Sequence, residues 1–481
     1  MTISGTLSSA LSGLTAASRA AELISSNIAN AMTDGYARRD LQLGARRVGD
    51  AGQGVQINGV GREVNQILLR DLRLARSGAE GLETRAAFHR RLESMVTGTD
   101  SIAARIDSFD AALIAAAARP DSEARLGAVL DSARSLVGSL RSASDTVQRS
   151  RLDADSAIAA DVAQVNRALT QIAALNGTIA GMAVGGRDSS ALQDQRQQLI
   201  DGLAATIPLR EVPDNQGRVA LYTSGGAVLL DGRPAQLGFT PVNTITPDMT
   251  LASGALSGLT LNGIPLRSDD GGPLAGGRLA AHFAIRDTLA PEAQVMLDAI
   301  ARDLVERFED PGLDPTRLPG GPGLFTDRGV AFDPADEAGL SQRLALAASA
   351  DPAQGGAVWR LRDGLGASVP GPAGESRLLD SLVLALNLSR GGGSGPFAGM
   401  PQSLSSLAGT TLANLGANRL TAEAEAGFAT ARAGALDLLH KADGVDTDRE
   451  MQHLLLVEQA FAANARVVKT VDEMIQLLLG M

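Results

Sequence analysis

Residues 447–479 read TDREMQHLLLVEQAFAANARVVKTVDEMIQLLL, without a glycine or a proline. Leu454, Phe461, Val468 and Ile475 recur every seven residues, and Val457, Asn464, Val471 and Leu478 form a second series offset by three. Apolar positions alternating three and four apart predict one helix with a narrow seam, the pattern of a coiled coil rather than of a broad core-facing stripe. Thr447, with Glu450 three residues on, predicts a capping box for the first unpaired N–H groups. Asn464 lies within the seam and is expected to set its register. A helix built this way needs a partner.

The partner is expected near the start of the sequence. Ile3, Ala10, Ala17 and Ile24 form one seven-residue series, and Leu7, Leu14, Ala21 and Ile28 form another. The alanines predict close approach of two helices, each ~45 Å long if about 30 residues are helical. The alternative is two amphipathic helices packed separately on a large body, and the narrowness of both seams argues against it.

Composition narrows the function classes. A chain of 481 residues exceeds one core and predicts about three domains. Lys and Arg number 43 against 54 Asp and Glu, a net charge of −11 that argues against nucleic acid or an anionic membrane as partner. There is no cysteine, which excludes disulfides and thiolate metal sites. No stretch reads as a membrane span or a cleaved signal, so any export is expected to use another route. His89, His282, His440 and His453 show no metal-binding spacing, and no phosphate-binding loop is present; Gly320–Gly323 reads as a turn. Asp443, Asp446 and Asp448 read as helix capping rather than a calcium loop. No cofactor is expected.

After the first helix comes Ser26-Asn27-Ile28-Ala29-Asn30-Ala31-Met32-Thr33-Asp34-Gly35-Tyr36-Ala37-Arg38. Gly35 suits a left-handed helix end, Asn30 and Thr33 are expected to bond nearby backbone, and Tyr36 reads as an anchor. The string resembles the N-terminal signature of flagellar rod, hook and hook-associated proteins through Ala29, Asn30, Thr33, Gly35, Tyr36 and Arg38. Met32 and Asp34 stand where that family often has Asn and Pro. The last helix resembles the family's C-terminal signature through Gly444-Val445, Glu450-Met451, Gln459-Ala460-Phe461, Ala463 to Val467 (with Asn464 and Arg466) and Asp472-Glu473-Met474; Phe461 replaces a common Tyr.

Between these ends, residues 40–62 predict a small hairpin through Val55, Ile57 and Val60, in a glycine-rich stretch that includes Gly49. Arg38, Arg39, Arg46 and Arg47 read either as a contact for an acidic neighbour or as a solvated turn. From Glu63 to Ala118 the pattern is helical, with breaks expected at Gly78, Gly81 and Gly98. Pro120 is expected to open a helix of roughly 60 residues ending at Gly185-Gly186. Leu192-Gln193-Asp194-Gln195-Arg196-Gln197-Gln198-Leu199, Gly277-Arg278-Leu279 and Pro291 to Gln294 resemble the hook-associated junction members of the same family.

Strands are predicted at Val219–Tyr222 and Val228–Leu230, and Asn262-Gly263 predicts a hairpin between Leu259–Leu261 and Ile264–Leu266. Residues 311–375 are expected to extend that β-rich part, with a strand at Val358–Leu361. Gly391 to Gly395 reads as a flexible loop between a helix over 376–387 and another from Gln402 to Lys441.

The predicted fold class is mainly α with a β-rich insertion, in a nested multidomain layout. Residues 1–40 and 440–481 form a terminal coiled-coil assembly domain. Residues 41–206, 276–310 and 376–439 form a helical rod, and 207–275 and 311–375 an outer β-rich insertion. The resemblance implies a non-enzymatic subunit of the extracellular bacterial flagellum at the hook–filament junction, exported by the flagellar type III apparatus. Implied partners are further copies in a ring, the hook protein, a second junction protein and a cytosolic export chaperone on the last helix. The alternatives are another flagellar axial protein, or a secreted adhesin or effector with a coiled-coil stalk. The seam is expected to order only on assembly, since ordering costs offset burial in an isolated pair.

Overall fold

The structure, a computed structural model, describes residues 3–33, 35–48, 51–97, 101–391 and 393–480. Asp34, Gly49, Gly98 and Gly392 therefore lie outside the described residues. The chain is mainly α. It opens with α1 (Ile3–Ala29), a hairpin of β1 (Arg38–Val48) and β2 (Ala51–Glu63), and helices α2 (Gln66–Val96), α3 (Ile102–Ala118), α4 (Glu123–Val184) and α5 (Ser190–Thr206). An antiparallel sheet follows in sequential order: β3 (Leu209–Pro213), β4 (Val219–Thr223), β5 (Val228–Asp231) and β6 (Arg233–Pro234). A second sheet joins β7 (Leu237–Gly238), β8 (Leu259–Leu261) and β9 (Ile264–Leu266). Then come α6 (Gly277–Ala284), a π turn at Ile285–Leu289, α7 (Ala290–Phe308), β10 (Phe325–Asp327), α8 (Leu340–Arg343), β11 (Leu344–Leu346), α9 (Arg360–Asp363) and α10 (Arg377–Asn387). The chain closes with α11 (Leu404–Ala442) and α12 (Thr447–Leu479).

Two apolar cores lie along α4. Leu126, Val129, Leu136 and Leu140 enter the first, with Phe109, Phe308 and Phe325 packed tilted or edge-on at 5.0–5.8 Å. Ile158, Val165, Leu169 and Ile172 enter the second, with Leu221, Leu230 and Leu259 from the two sheets. A 62-residue helix is stable here because successive turns feed successive cores.

Several expectations need correction. Ser122, not Pro120, starts α4, because its hydroxyl accepts from Arg125 N–H at 3.4 Å and proline has no such acceptor to offer. α2 runs unbroken through Gly78 and Gly81. At Gly81 a Cβ would sit 2.7 Å from the Gly277 carbonyl oxygen, so the glycine serves a close crossing with the start of α6. The hairpin is longer than expected, with bulges after Gln42 and Ala45. Residues 311–375 do not extend the sheets around β3–β9. Their one sheet is β10 with β11, and Leu324, Phe325, Leu340, Leu344 and Leu361 pack in the first, helical core. Val358–Leu361 is a turn entering α9, since Val358 and Leu361, three apart, both point into that core. Gly395, in the stretch read as a flexible loop, packs closely: a Cβ there would lie 2.5 Å from Val295 Cγ1 of α7.

The outermost helices form two antiparallel pairs in succession. Arg76 meets Asp437 and Glu93 meets Arg419 across α2 and α11. Asn27 meets Glu450, and Gly13 meets Asn464, across α1 and α12.

Candidate functional site

The α1–α12 pair is tightest where side chains are smallest. Ala10, Ala16 and Ala17 are buried, and a Cβ on Gly13 would stand 2.8 Å from the Asn464 amide. Asn464 lies on this face and donates to the Ala460 carbonyl at 2.9 Å, so it fills a gap over Gly13 and the contact is steric. The hairpin lies along α1, anchored where Val55 N–H donates to Ser12 Oγ at 3.1 Å. Hairpin, α1 and α12 leave between them a groove of about 450 Å³ lined by Ala17, Leu41, Val55, Val457 and Asn464 among others.

At one end of this groove the motif after α1 makes a polar knot. Asn27, 1% exposed, meets the Arg39 backbone in both directions: Nδ2 donates to its carbonyl at 2.9 Å and Oδ1 accepts from its N–H at 3.0 Å. Tyr36 OH donates to the same Asn27 oxygen at 2.8 Å, and the Arg39 guanidinium stacks 4.8 Å from the Tyr36 ring. Asn27 Nδ2 also donates to Glu450 Oε2 at 3.0 Å, and Arg38 Nε donates to Glu450 Oε1 at 2.6 Å. Arg38 further pairs with Glu63. Burial works against the Arg38 charge, but the Glu450 and Glu63 carboxylates outweigh it and raise its pKa above the ordinary arginine value. Glu450 is 1% exposed, so this pair is expensive to break from either side.

A second carboxylate holds the knot to the body. Asp194 of α5 accepts from Arg39 Nη2 at 2.8 Å and from Arg62 Nε at 2.9 Å. Gly35 has φ +77°, and a Cβ there would stand 2.6 Å from Gln198 Cγ, so both its conformation and the approach of α5 require glycine. Two strings far apart in sequence, one around Tyr36 and one over Leu192–Leu199, are thus a single contact. Arg196 of the second string is buried and donates to Asn176 Oδ1 at 2.8 Å and to the Gly217 carbonyl at 2.7 Å, fixing α5 to α4 and the first sheet.

The other sequence-predicted residues fall in two groups. Ala29 ends α1 and is exposed; Asn30 Nδ2 donates to the Ser26 carbonyl at 2.9 Å. The Thr33 hydroxyl donates to Asn30 Oδ1 at 3.4 Å rather than to backbone. Leu454 is half-buried one turn beyond Glu450. Phe461, Arg466, Val468 and Ile475 lie along α12, the last ~37 Å from Glu450 by helical rise. Val468 and Ile475 are half-buried, whereas Arg466 is exposed and Phe461 is 45% exposed. The narrow two-sided seam is therefore only partly closed. Glu450 and Val471 are the buried residues of α12, while Met451, Leu455, Leu456, Leu477 and Leu478 face solvent. α1 instead buries Leu23 and Ala16 beyond its seam, because it also carries the hairpin.

Glu450, expected to cap its own helix, instead answers Asn27 and Arg38. The Thr447–Glu450 capping box does not form: Asp446 is the cap, accepting from Asp448 and Arg449 N–H at 3.0 and 3.1 Å. The signal was present, since Glu450 precedes Leu454 and Val457 by four and seven residues and so shares their face. Of the four clustered arginines, Arg38 and Arg39 meet acidic partners within the chain, and Arg46 and Arg47 are exposed. Among the described residues no group of three or more His, Asp or Glu could hold a metal ion, and no helix is long and apolar enough to cross a membrane.

Three family models match, in order. That of the flagella basal body rod protein covers residues 7–36, that of the flagellar hook-associated protein FlgK helical domain covers 90–315, and that of the flagellar basal body rod FlgEFG protein C-terminal covers 441–481. Flagellar hook-associated protein 1 of Salmonella typhimurium is 28% identical over 296 residues, 56% of this chain and 52% of that protein. Its Escherichia coli counterpart is 28% identical over 261 residues, 52% of this chain and 47% of the relative. The Bacillus subtilis protein is 26% identical over 249 residues, 48% and 49% of the two chains. The chain thus spans about half the length of these relatives. The flagellar hook junction protein FlgK from Burkholderia pseudomallei is similar in structure over 53% of this chain and 46% of its own, at 22% identity and a TM-score of 0.45. With the rod-type models at its two ends and the helical-domain model between them, the chain is similar to the flagellar hook-associated protein FlgK along 7–36, 90–315 and 441–481.

Proposed function

We propose that the chain is a structural subunit of the bacterial flagellum that forms the junction between hook and filament. The observation that carries this reading is the unfinished surface of α12. Leu455, Leu456 and Leu477 are 54–71% exposed on a helix whose opposite face is fixed to α1 and, through Glu450, to the hairpin. Large exposed apolar residues on the free side of a helix mark a surface awaiting a partner. Heterologous contacts between copies then build a ring, with the hook protein on one side and a second junction protein on the other. Residues 1–40 and 440–481 act as the assembly domain, the helical body as a rigid rod, and the β-rich part as the outward-facing insertion.

The site is on the cell exterior, reached unfolded through the flagellar type III apparatus, with a cytosolic chaperone covering the apolar face of 447–481 beforehand. The reading assigns no enzymatic activity and no cofactor. The rod-type matches at both ends are what any axial protein of this class would carry, and the matched middle, residues 90–315, favours the junction over rod or hook.

The test is imaging of cells that lack the protein. Hooks without attached filaments are expected, restored by the intact gene; filaments of normal number and attachment would overturn the reading. In a parallel pull-down, deleting 447–481 is expected to abolish chaperone capture, while deleting 1–20 blocks export and leaves capture intact.

A further inference from the structure

Between its two apolar cores, α4 carries a buried polar seam. Ser144 Oγ and Gln148 Nε2 both donate to Gln294 Oε1 at 2.9 Å. Arg151 Nη1 donates to Gln148 Oε1 at 3.0 Å, and its Nε donates to the Arg286 carbonyl at 3.0 Å. Arg286 Nη1 in turn donates to Asp155 Oδ1 at 2.7 Å, and its Nε to Asp287 Oδ1 at 2.8 Å. Arg151 and Arg286 are 1% and 0% exposed. Charges buried this deeply persist only when their donors are answered.

Much of the answer comes from one loop. Residues 239–257, which connect β7 to β8, lie across the seam as a strap. The Thr246 and Met249 carbonyls accept from Arg151 at 3.1 and 2.5 Å, and the Ser257 carbonyl accepts from Arg286 at 3.0 Å. Val242 N–H donates to Asp155 Oδ2 at 2.8 Å. The Arg286 guanidinium lies 5.4 Å from the Phe239 ring and 5.1 Å from the Phe283 ring. The strap also reaches the first core's side, where a Cβ on Gly339 would be 2.9 Å from Pro247 Cγ; Gly339 N–H itself donates to Asp298 of α7 at 2.8 Å.

What else joins the two halves is helix. α4 runs through both, and the α6–α7 helix is interrupted opposite the seam by the π turn Ile285–Leu289 that presents Arg286. π turns are points where helices kink, so the connection has a built-in place to bend. The strap closes over that place.

We infer that residues 239–257 are a conformational latch: seated on Arg151 and Arg286, the strap makes the two cores one rigid body, and unseated it frees the β-rich part to move and unfold separately. The test uses the full chain, by calorimetry and hydrogen exchange. In the unaltered protein a single transition is expected, with strap amides exchanging as slowly as those of Val129–Val147. Arg286→Met or Arg151→Met is expected to split the transition, the earlier part belonging to residues 209–266, with strap amides exchanging at least ~10-fold faster. Arg151→Lys keeps the charge but loses the forked reach and is expected to fall between. A single transition in the Met variants, with both cores shifting together, would overturn the latch and leave only a stabilising ion cluster. Should those variants fail to fold, the unaltered protein decides alone: strap exchange ~10-fold or more faster than both cores would equally overturn it.

Discussion

α4 and α12 start alike and end differently. Each is a long amphipathic helix whose first turn is capped by a side-chain oxygen, Ser122 for one and Asp446 for the other. α4 buries Leu126 to Ile179 along nearly its whole length, whereas α12 buries Glu450 and Val471. The difference is not in periodicity, which both have, but in how many neighbours the same chain supplies. α4 has two cores to enter; α12 has α1 on one side and solvent on the other. A helix can be fully specified in sequence and still be only half completed in the fold.

The sharpest way to break this contrast is to place the same charge on both helices. Leu136→Asp puts an unpaired carboxylate in the first core, where Leu136 is fully buried, and is expected to cost about 4 kcal/mol or more and abolish cooperative melting of the body. Phe461→Asp, on a side chain 45% exposed, is expected to change the melt by under ~1 kcal/mol while preventing filament attachment to hooks. Leu454→Asp, half-buried, should lie between in stability and likewise block attachment. Normal filament growth from the Phe461 or Leu454 variant would remove the α12 seam from the assembly surface.

Next in size is the knot that ties the pair to the body. Arg38→Ala leaves Glu450 buried beside Asn27 alone, a loss of about 3 kcal/mol local to α1 and α12. Proteolysis should then release the pair while α2–α11 stays intact. Gly35→Ala has to overcome a left-handed φ and the Gln198 contact, for about 1–2 kcal/mol, read as a lower melting point. The smallest effect is one of pH. Burial lowers the His282 pKa, outweighing Asp161 at 3.9 Å, while Arg278 lowers it further; burial and Arg85 lower that of His89. The native imidazoles are neutral and unfolding takes up protons, so stability is steady above the ordinary value of 6.5 and falls as pH drops below it. His282→Gln should flatten part of that decline in a melting series.

The long helices were legible because periodicity and stop signals are local. α12 spans Thr447–Leu479 as read, and the Asn262-Gly263 hairpin turns with φ of 52° and 80°. The pairing of α1 with α12 was legible too, since two narrow seams need each other. What was not legible depends on distant partners. Asp194 finds Arg39 across 155 positions of sequence, and Glu450 finds Arg38 across 412. Burial of Arg151 and Arg286 was not legible either, because the strap that answers them lies 95 to 98 residues from the first. Residues 311–375 were misplaced for a related reason: short apolar runs among glycines and prolines resemble strands whichever core they enter.

On the proposed function, the α1–α12 pair is incomplete in the single chain and is finished by its neighbours. Hydrogen exchange along α12 tests it most directly, first on the isolated chain and then on hooks carrying it. Amides from Leu455 to Leu479 in the isolated chain are expected to exchange at least ~100-fold faster than those of α4 between Val129 and Val165, and to become comparably slow after assembly. Trimming of both ends by protease, with the body spared, would accompany that result. An isolated chain whose α12 is already as protected as α4, with no change on assembly, would contradict it.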